Sequence, residues 1–273
     1  MNDLDIVIIL ILLSFLPAIA YLTWVRRTER YNEEAWLPLL KAFAIGAIIS
    51  TVVSAILEEV LSDLFQGVLQ PDIGVLPKTT TFALLILAVV IAPVVEEGMK
   101  GLGVWWMRED FRYVADGLVF GAAVGFGFGF VENTLYGLSA WELAGLGSAI
   151  ATLFVRSISS ILLHGSATAM TGYGVAENKL HAGRGHILVG YYFLAVLMHA
   201  SFNLLLFLPY LLPTVWVNAV GTELLTVFSF ILAATFAIAA FHHIRERITE
   251  LQFQPIAAPT PALAKALTDT RKK

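Results

Sequence analysis

About seven runs of twenty or more mostly apolar residues recur along the chain, at 4–25, 36–60, 80–105, 115–137, 147–175, 187–209 and 216–243. A helix of that length crosses the ~30 Å hydrocarbon core of a bilayer. With no water at that depth, backbone polar groups must be satisfied inside the segment, which leaves the helix as the form each run can take. Hydrophobic residues make up 58% and charged residues 14% of the chain, far from the roughly 25% charged of a soluble domain. The expectation is an all-α, polytopic membrane helix bundle of about seven transmembrane helices. The first run is too long for a signal-peptide core and is preceded by acidic residues, so it reads as a retained span.

Charges between the runs set an orientation. Arg26, Arg27 and Arg30 follow the first run, Arg108 and Arg112 the third, Lys179 and Arg184 the fifth, and Arg245 and Arg247 the seventh, whereas the alternate loops offer only Lys78. By the positive-inside rule the N-terminus is outside and the C-terminus cytoplasmic. Gly67, Pro71, Gly74 and Pro77 mark residues 61–79 as an irregular external loop. Residues 1–250 read as a single transmembrane domain. Residues 251–273, rich in Ala and Pro, read as a disordered cytoplasmic tail. A net charge of −4 leaves no basic stripe for nucleic acid, and the absence of cysteine excludes disulfides and thiolate metal sites.

Against this background, ionisable residues inside the spans stand out, because each costs roughly 2.5–3.5 kcal/mol on insertion scales. The third run ends in IAPVVEEGMK, Ile91 to Lys100. Glu96 and Glu97 lie i,i+4 and i,i+3 from Lys100, which can neutralise either. Pro93 removes a backbone donor just upstream. In the fourth run Gly117, Gly121, Gly125 and Gly129 recur every four residues and form a ridge for close helix approach, ahead of Glu132 and Asn133. Arg156, Ser160, His164 and Thr168 form one polar stripe along the fifth run, in which Arg156 can balance Glu132 or hold a substrate carbonyl. His199 and Asn203 share a face of the sixth. Glu58 and Glu59 form a second acidic pair at the outer end of the second run, with no lysine partner. They read as interfacial and dispensable.

Carboxylates and imidazoles converging from four spans are the donors of catalytic zinc sites, with a further carboxylate as general base. Buried Glu and His chains also mark proton relays, so a proton-coupled transporter or channel is the alternative, as is a catalytically inactive scaffold with the same cavity. On a straight helix Glu96 makes the better pair with Lys100, which leaves Glu97 as the base; the kink at Pro93 can reverse this. Depth counts against a single site. At ~1.5 Å per residue, Glu96 falls about 6 Å to the cytoplasmic side of its run and Glu132 about 10 Å to the outer side.

These residues carry a resemblance to the PrsW family of intramembrane proteases, within the superfamily that includes the CAAX prenyl endopeptidases. TERYNEEAW (Thr28 to Trp36) resembles that family's first loop, VVEEGMK its EExxK signature, and DGLVFGAAVGFGFGFVENTLY (Asp116 to Tyr136) its glycine-rich span. The Arg156-to-His164 spacing and HASFN (His199 to Asn203) resemble its remaining motifs. The resemblance implies an intramembrane peptidase of the cell membrane, cutting membrane-anchored, anti-sigma-factor-like proteins in regulated intramembrane proteolysis. It implies catalytic roles for Glu96, Glu97, Lys100 and Asn203, with Glu132, His164 and His199 as metal ligands. Arg156 and Asn133 would balance charge or hold substrate. Glu132 stands where prenyl endopeptidases have histidine, which leaves the ligand set open. Zn2+ is the implied cofactor, with a metal-free glutamate mechanism beside it.

Overall fold

The computed structural model describes residues 2–31, 33–69, 84–180, 185–212, 217–218, 220 and 221–256. Lys78, Arg184 and most of the expected 61–79 loop lie outside these residues, as does the tail from 257. The described part is helical apart from short turns and one isolated bridge, Tyr113 with Pro255.

Helix α1 (Asp3–Arg26) opens with an Asn2 capping box. Helix α2 (Trp36–Ala44) runs through a π-helical turn, Ile45–Ser50, into α3 (Thr51–Leu69). The helix therefore continues to Leu69, into the stretch expected to be irregular. A second π-helical turn, Leu87–Ile91, leads into α4 (Ala92–Met107). Helix α5 (Val114–Ser157) contains one non-helical residue, Gly145, at φ 81° and ψ 178°. That left-handed φ suits glycine, and the chain doubles back there: Gly137 faces Leu153 across the two arms. Helices α6 (Ser160–Leu180), α7 (Gly185–Leu211) and α8 (Thr222–Leu251) follow. Among the described residues five helical stretches, Asp3–Arg26, Trp36–Leu64, Val114–Leu180, Gly185–Leu211 and Thr222–Leu251, are long and apolar enough to cross a membrane.

The α5–α6 hairpin is the most enclosed of these five stretches, and α5 packs most extensively on α6. The glycine ridge explains how. Gly117 faces Gly172, Gly121 faces Thr168 and Ala169, and Gly125 faces His164, so the two helices run antiparallel with backbones nearly touching. A methyl group at Gly125 would collide with the His164 carbonyl oxygen, a backbone atom that cannot yield alone. Gly125→Ala should therefore lower stability by about 1–3 kcal/mol through overpacking. A detergent melt should show that loss together with reduced activity, since His164 is on the displaced segment; an unchanged melt would contradict the packing. The opposite face of α5 packs on the first π-helical turn, where Gly46 meets the Val124 carbonyl.

At the end of the bundle carrying Arg26 and Arg112, residues 254–256 are held against the start of α5. Val114 N–H donates to the Gln254 carbonyl and Ile256 N–H to that of Arg112, each at 2.9 Å.

Candidate active site and metal centre

Glu96, Glu97, Lys100, His164 and His199 are all buried and meet in the centre of the bundle. Lys100 Nζ lies 2.6 Å from Glu97 Oε1 and 3.3 Å from Glu96 Oε2. It is 3.0 Å from His164 Nδ1 and 4.2 Å above the Phe128 ring centroid. The closer pair is thus with Glu97, the reverse of the straight-helix expectation, because neighbouring helices fix Glu97. Thr168 Oγ1 donates to Glu97 Oε2 at 3.2 Å, and His199 Nδ1 lies 3.1 Å from Glu97 Oε1. Glu96 Oε2 is turned toward Lys100 and the two imidazoles, at 4.0 Å from His164 Nδ1 and 3.9 Å from His199 Nδ1. Of the two glutamates, Glu96 lines the cavity.

On the far side of His164, Nε2 lies 2.7 Å from Glu132 Oε2. Arg156 donates to the same oxygen at 2.7 Å, to Asn133 Oδ1 at 2.9 Å and to Ser160 Oγ at 2.9 Å. Its guanidinium stacks 3.7 Å from the Tyr136 ring centroid. Of the two roles open to Arg156, the geometry supplies charge balance for Glu132. The depth objection disappears because the first arm of α5 runs on to Gly145. Measured from that helix, Glu132 is only about 4–5 Å from the middle.

Asn203 Nδ2 donates to the Ala88 carbonyl at 2.7 Å. In π-helical pairing that carbonyl would accept from the residue five positions on, which is Pro93 and has no N–H. Asn203 supplies the missing donor, so its amide supports the bend that presents Glu96.

Glu96, Glu132, Arg156, His164, His199 and Asn203, with Ala92, Phe202 and Phe207, line a cavity of about 270 Å³. Glu58 is part of its wall, which corrects the reading of Glu58 as an interfacial residue. Glu59, its neighbour, is exposed on the outside of α3. The signal was available: adjacent helical residues point about 100° apart, so one of the pair could face inward. Glu58→Ala should slow cleavage about tenfold, ~1.4 kcal/mol of barrier, while Glu59→Ala leaves it within twofold. Equal rates for the two variants would show that the cavity wall does not matter to turnover.

Glu96, His164 and His199 each offer a ligand atom within 4.8 Å of the others, and could hold a metal ion. The group differs from the ligand set drawn from resemblance: Glu96 takes the carboxylate place, and Glu132 is engaged with Arg156 and His164. Each imidazole is backed by a carboxylate, Glu132 at His164 Nε2 and Glu97 at His199 Nδ1. That backing fixes the tautomer and orientation of metal-binding histidines. By donor type, spacing and backing, the three residues fit a small divalent ion. Lys100 presents its own positive charge to the same atoms, so it shares the task of balancing Glu96.

Residues 34–235 match the PrsW family of intramembrane metalloproteases. The chain belongs to that family. It is 28% identical over 210 residues to protease PrsW of Clostridioides difficile (strain 630), an alignment covering 74% of this chain and 80% of the relative. No solved structure matches. Membership supports a peptidase acting within the membrane, and the matched region contains every residue of the buried cluster.

Proposed function

We propose that this PrsW-family chain is an endopeptidase that hydrolyses a peptide bond in single-span or otherwise membrane-anchored proteins, anti-sigma-factor-like in their anchoring, at the cavity beside Glu96. The observation that carries the reading is the unequal environment of two adjacent carboxylates. Glu97 is tied by Lys100, Thr168 and His199, whereas Glu96 faces the cavity. Glu96 is then the group that accepts a proton from the attacking water and returns it to the leaving amine nitrogen. Glu97 holds Lys100 and the Nδ1–H of His199. The Lys100 ammonium lies beside Glu96 and offers charge for the developing oxyanion. Arg156 pairs with Glu132, and Glu132 orients His164.

A zinc ion held by Glu96, His164 and His199 would supply Lewis-acid polarisation of the carbonyl and a more acidic water. A metal-free reaction would keep Glu96 as the base and draw its stabilisation of the oxyanion from Lys100 and the imidazoles. The topology belongs to the same proposal: seven crossings, N-terminus outside and C-terminus cytoplasmic, in the cell membrane. It is supported by the reversal at Gly145, which makes two crossings of Val114–Leu180, and by the helical run ending at Met107 as a further one.

The test is reconstitution of the purified chain in proteoliposomes with a single-span reporter and a pH-sensitive dye. Reporter cleavage without protein-dependent proton flux is expected. Proton flux without cleavage would replace the reading with a transporter, and binding of the uncut reporter with neither activity would replace it with a scaffold.

A further inference from the structure

A second carboxylate cluster lies outside the membrane-spanning centre, where the α1–α2 connection meets the start of α5. Glu29, Glu34 and Asp116 are buried and bring one oxygen each within 4.8 Å of the others. Two of the three are partly accounted for. Asp116 Oδ2 accepts the backbone N–H groups of Arg112 and Tyr113, at 2.6 Å and 3.0 Å, as the cap of α5. Glu34 Oε1 pairs with Arg112 at 2.6 Å. Glu29 is not accounted for. It is 0% exposed, and neither of its carboxylate oxygens has a hydrogen-bond partner among the described residues. Asp116 Oδ1 is also buried without a partner.

The local charge does not balance. Three carboxylates against the single guanidinium of Arg112 leave −2 when all are ionised. Ionised carboxylates are not buried unpaired: they are neutralised, bridged by cations, or bound to metal. Three orphan oxygen atoms on two of the clustered carboxylates are the donors a hard cation takes. Among the described residues no imidazole joins them, in contrast to the membrane centre.

We propose that Glu29, Glu34 and Asp116 form a site for a hard divalent cation of the Mg2+ and Ca2+ class. Such an ion supplies the missing +2. It also joins the segment after α1 to the N-terminus of α5, the helix that carries Glu132 and the glycine ridge. The same junction takes in α8: Arg245 Nε donates to Thr28 Oγ1 at 3.0 Å, and Arg30 N–H donates to Gln252 Oε1 at 3.1 Å. The ion would join two segments directly at one end of the bundle, with α8 attached to the first of them through these hydrogen bonds.

The experiment uses the full chain in detergent, stripped with EDTA and titrated with Mn2+, followed by electron paramagnetic resonance and by thermal melting. Mn2+ stands in for Mg2+, which should compete with it. The expected result is a Mn2+ site that raises the melting temperature by several degrees. Glu29→Gln should weaken it by more than about tenfold, while His199→Ala in the membrane centre leaves it unchanged. Asp116→Asn, which keeps an oxygen for the α5 cap, is the second variant and should also weaken Mn2+. A stripped wild type that neither binds Mn2+ nor responds in its melt overturns the proposal, and would leave Glu29 as a buried protonated acid. Unchanged Mn2+ affinity in Glu29→Gln overturns it equally. If neither variant folds, the Mn2+ response of His199→Ala, which lacks one ligand of the membrane centre, and its competition by Mg2+ decide: a retained site supports the proposal and a lost one overturns it.

Discussion

Glu97→Gln is expected to lower the melting temperature by on the order of 10 °C, the consequence of weakening a buried ion pair worth about 3–5 kcal/mol when broken. Lys100 is 0% exposed and its shortest ion pair is the 2.6 Å contact with Glu97. The amide retains a hydrogen-bond acceptor for Thr168 but removes the charge. Glu96 is then the one remaining carboxylate on α4 near Lys100, and the ammonium should close on it from the present 3.3 Å. Stability and turnover fall together in this variant, because the compensating motion occupies the group that faces the cavity. A detergent melt beside a cleavage assay checks both. A normal melt would show that Lys100 is balanced chiefly by other groups.

Glu96→Gln should have the opposite profile. Its carboxylate has the longer contact with Lys100, and the Glu97 pair is untouched, so the fold should survive with little change in melting temperature. Glutamine keeps the shape but takes no proton, and loss of a positioned general base slows the chemical step by roughly 10²–10⁴-fold. The same substitution removes one of three candidate ligands. Metal content measured on the same sample therefore separates the routes: a slow variant that retains metal lost only its base, and one that lost both used Glu96 as a ligand.

The helical membrane character was legible because length and hydropathy determine it nearly alone. The residues of the candidate cluster were legible for a related reason: ionisable groups at depth are costly, so those present are few and conspicuous. What the sequence could not supply was direction and exact extent. Residues 138–146, with Trp141 and Glu142, read as a loop, but the helix carries through them to Gly145. That difference moved Glu132 from the rim toward mid-bundle. Which glutamate holds Lys100 depends on Thr168 and His199, which reach Glu97 from other helices, information absent from i,i+3 and i,i+4 spacing. Glu58 was misjudged because its position along the run was visible and its rotation about the helix was not. The Asn203 contact with Ala88 requires the π-helical register around Leu87–Ile91, and nothing in the amino-acid order alone announces that register.

The most direct test of Glu96 as the reacting carboxylate is mass-spectrometric mapping of products from a single-span reporter, incubated in lipid with wild-type protein and with Glu96→Gln at matched folded fraction. The account predicts one defined cut by the wild type, in or beside the reporter's apolar span, and almost none by Glu96→Gln with an intact melt. Products formed by Glu96→Gln at the wild-type rate, or a folded wild type that leaves the reporter whole, would contradict it.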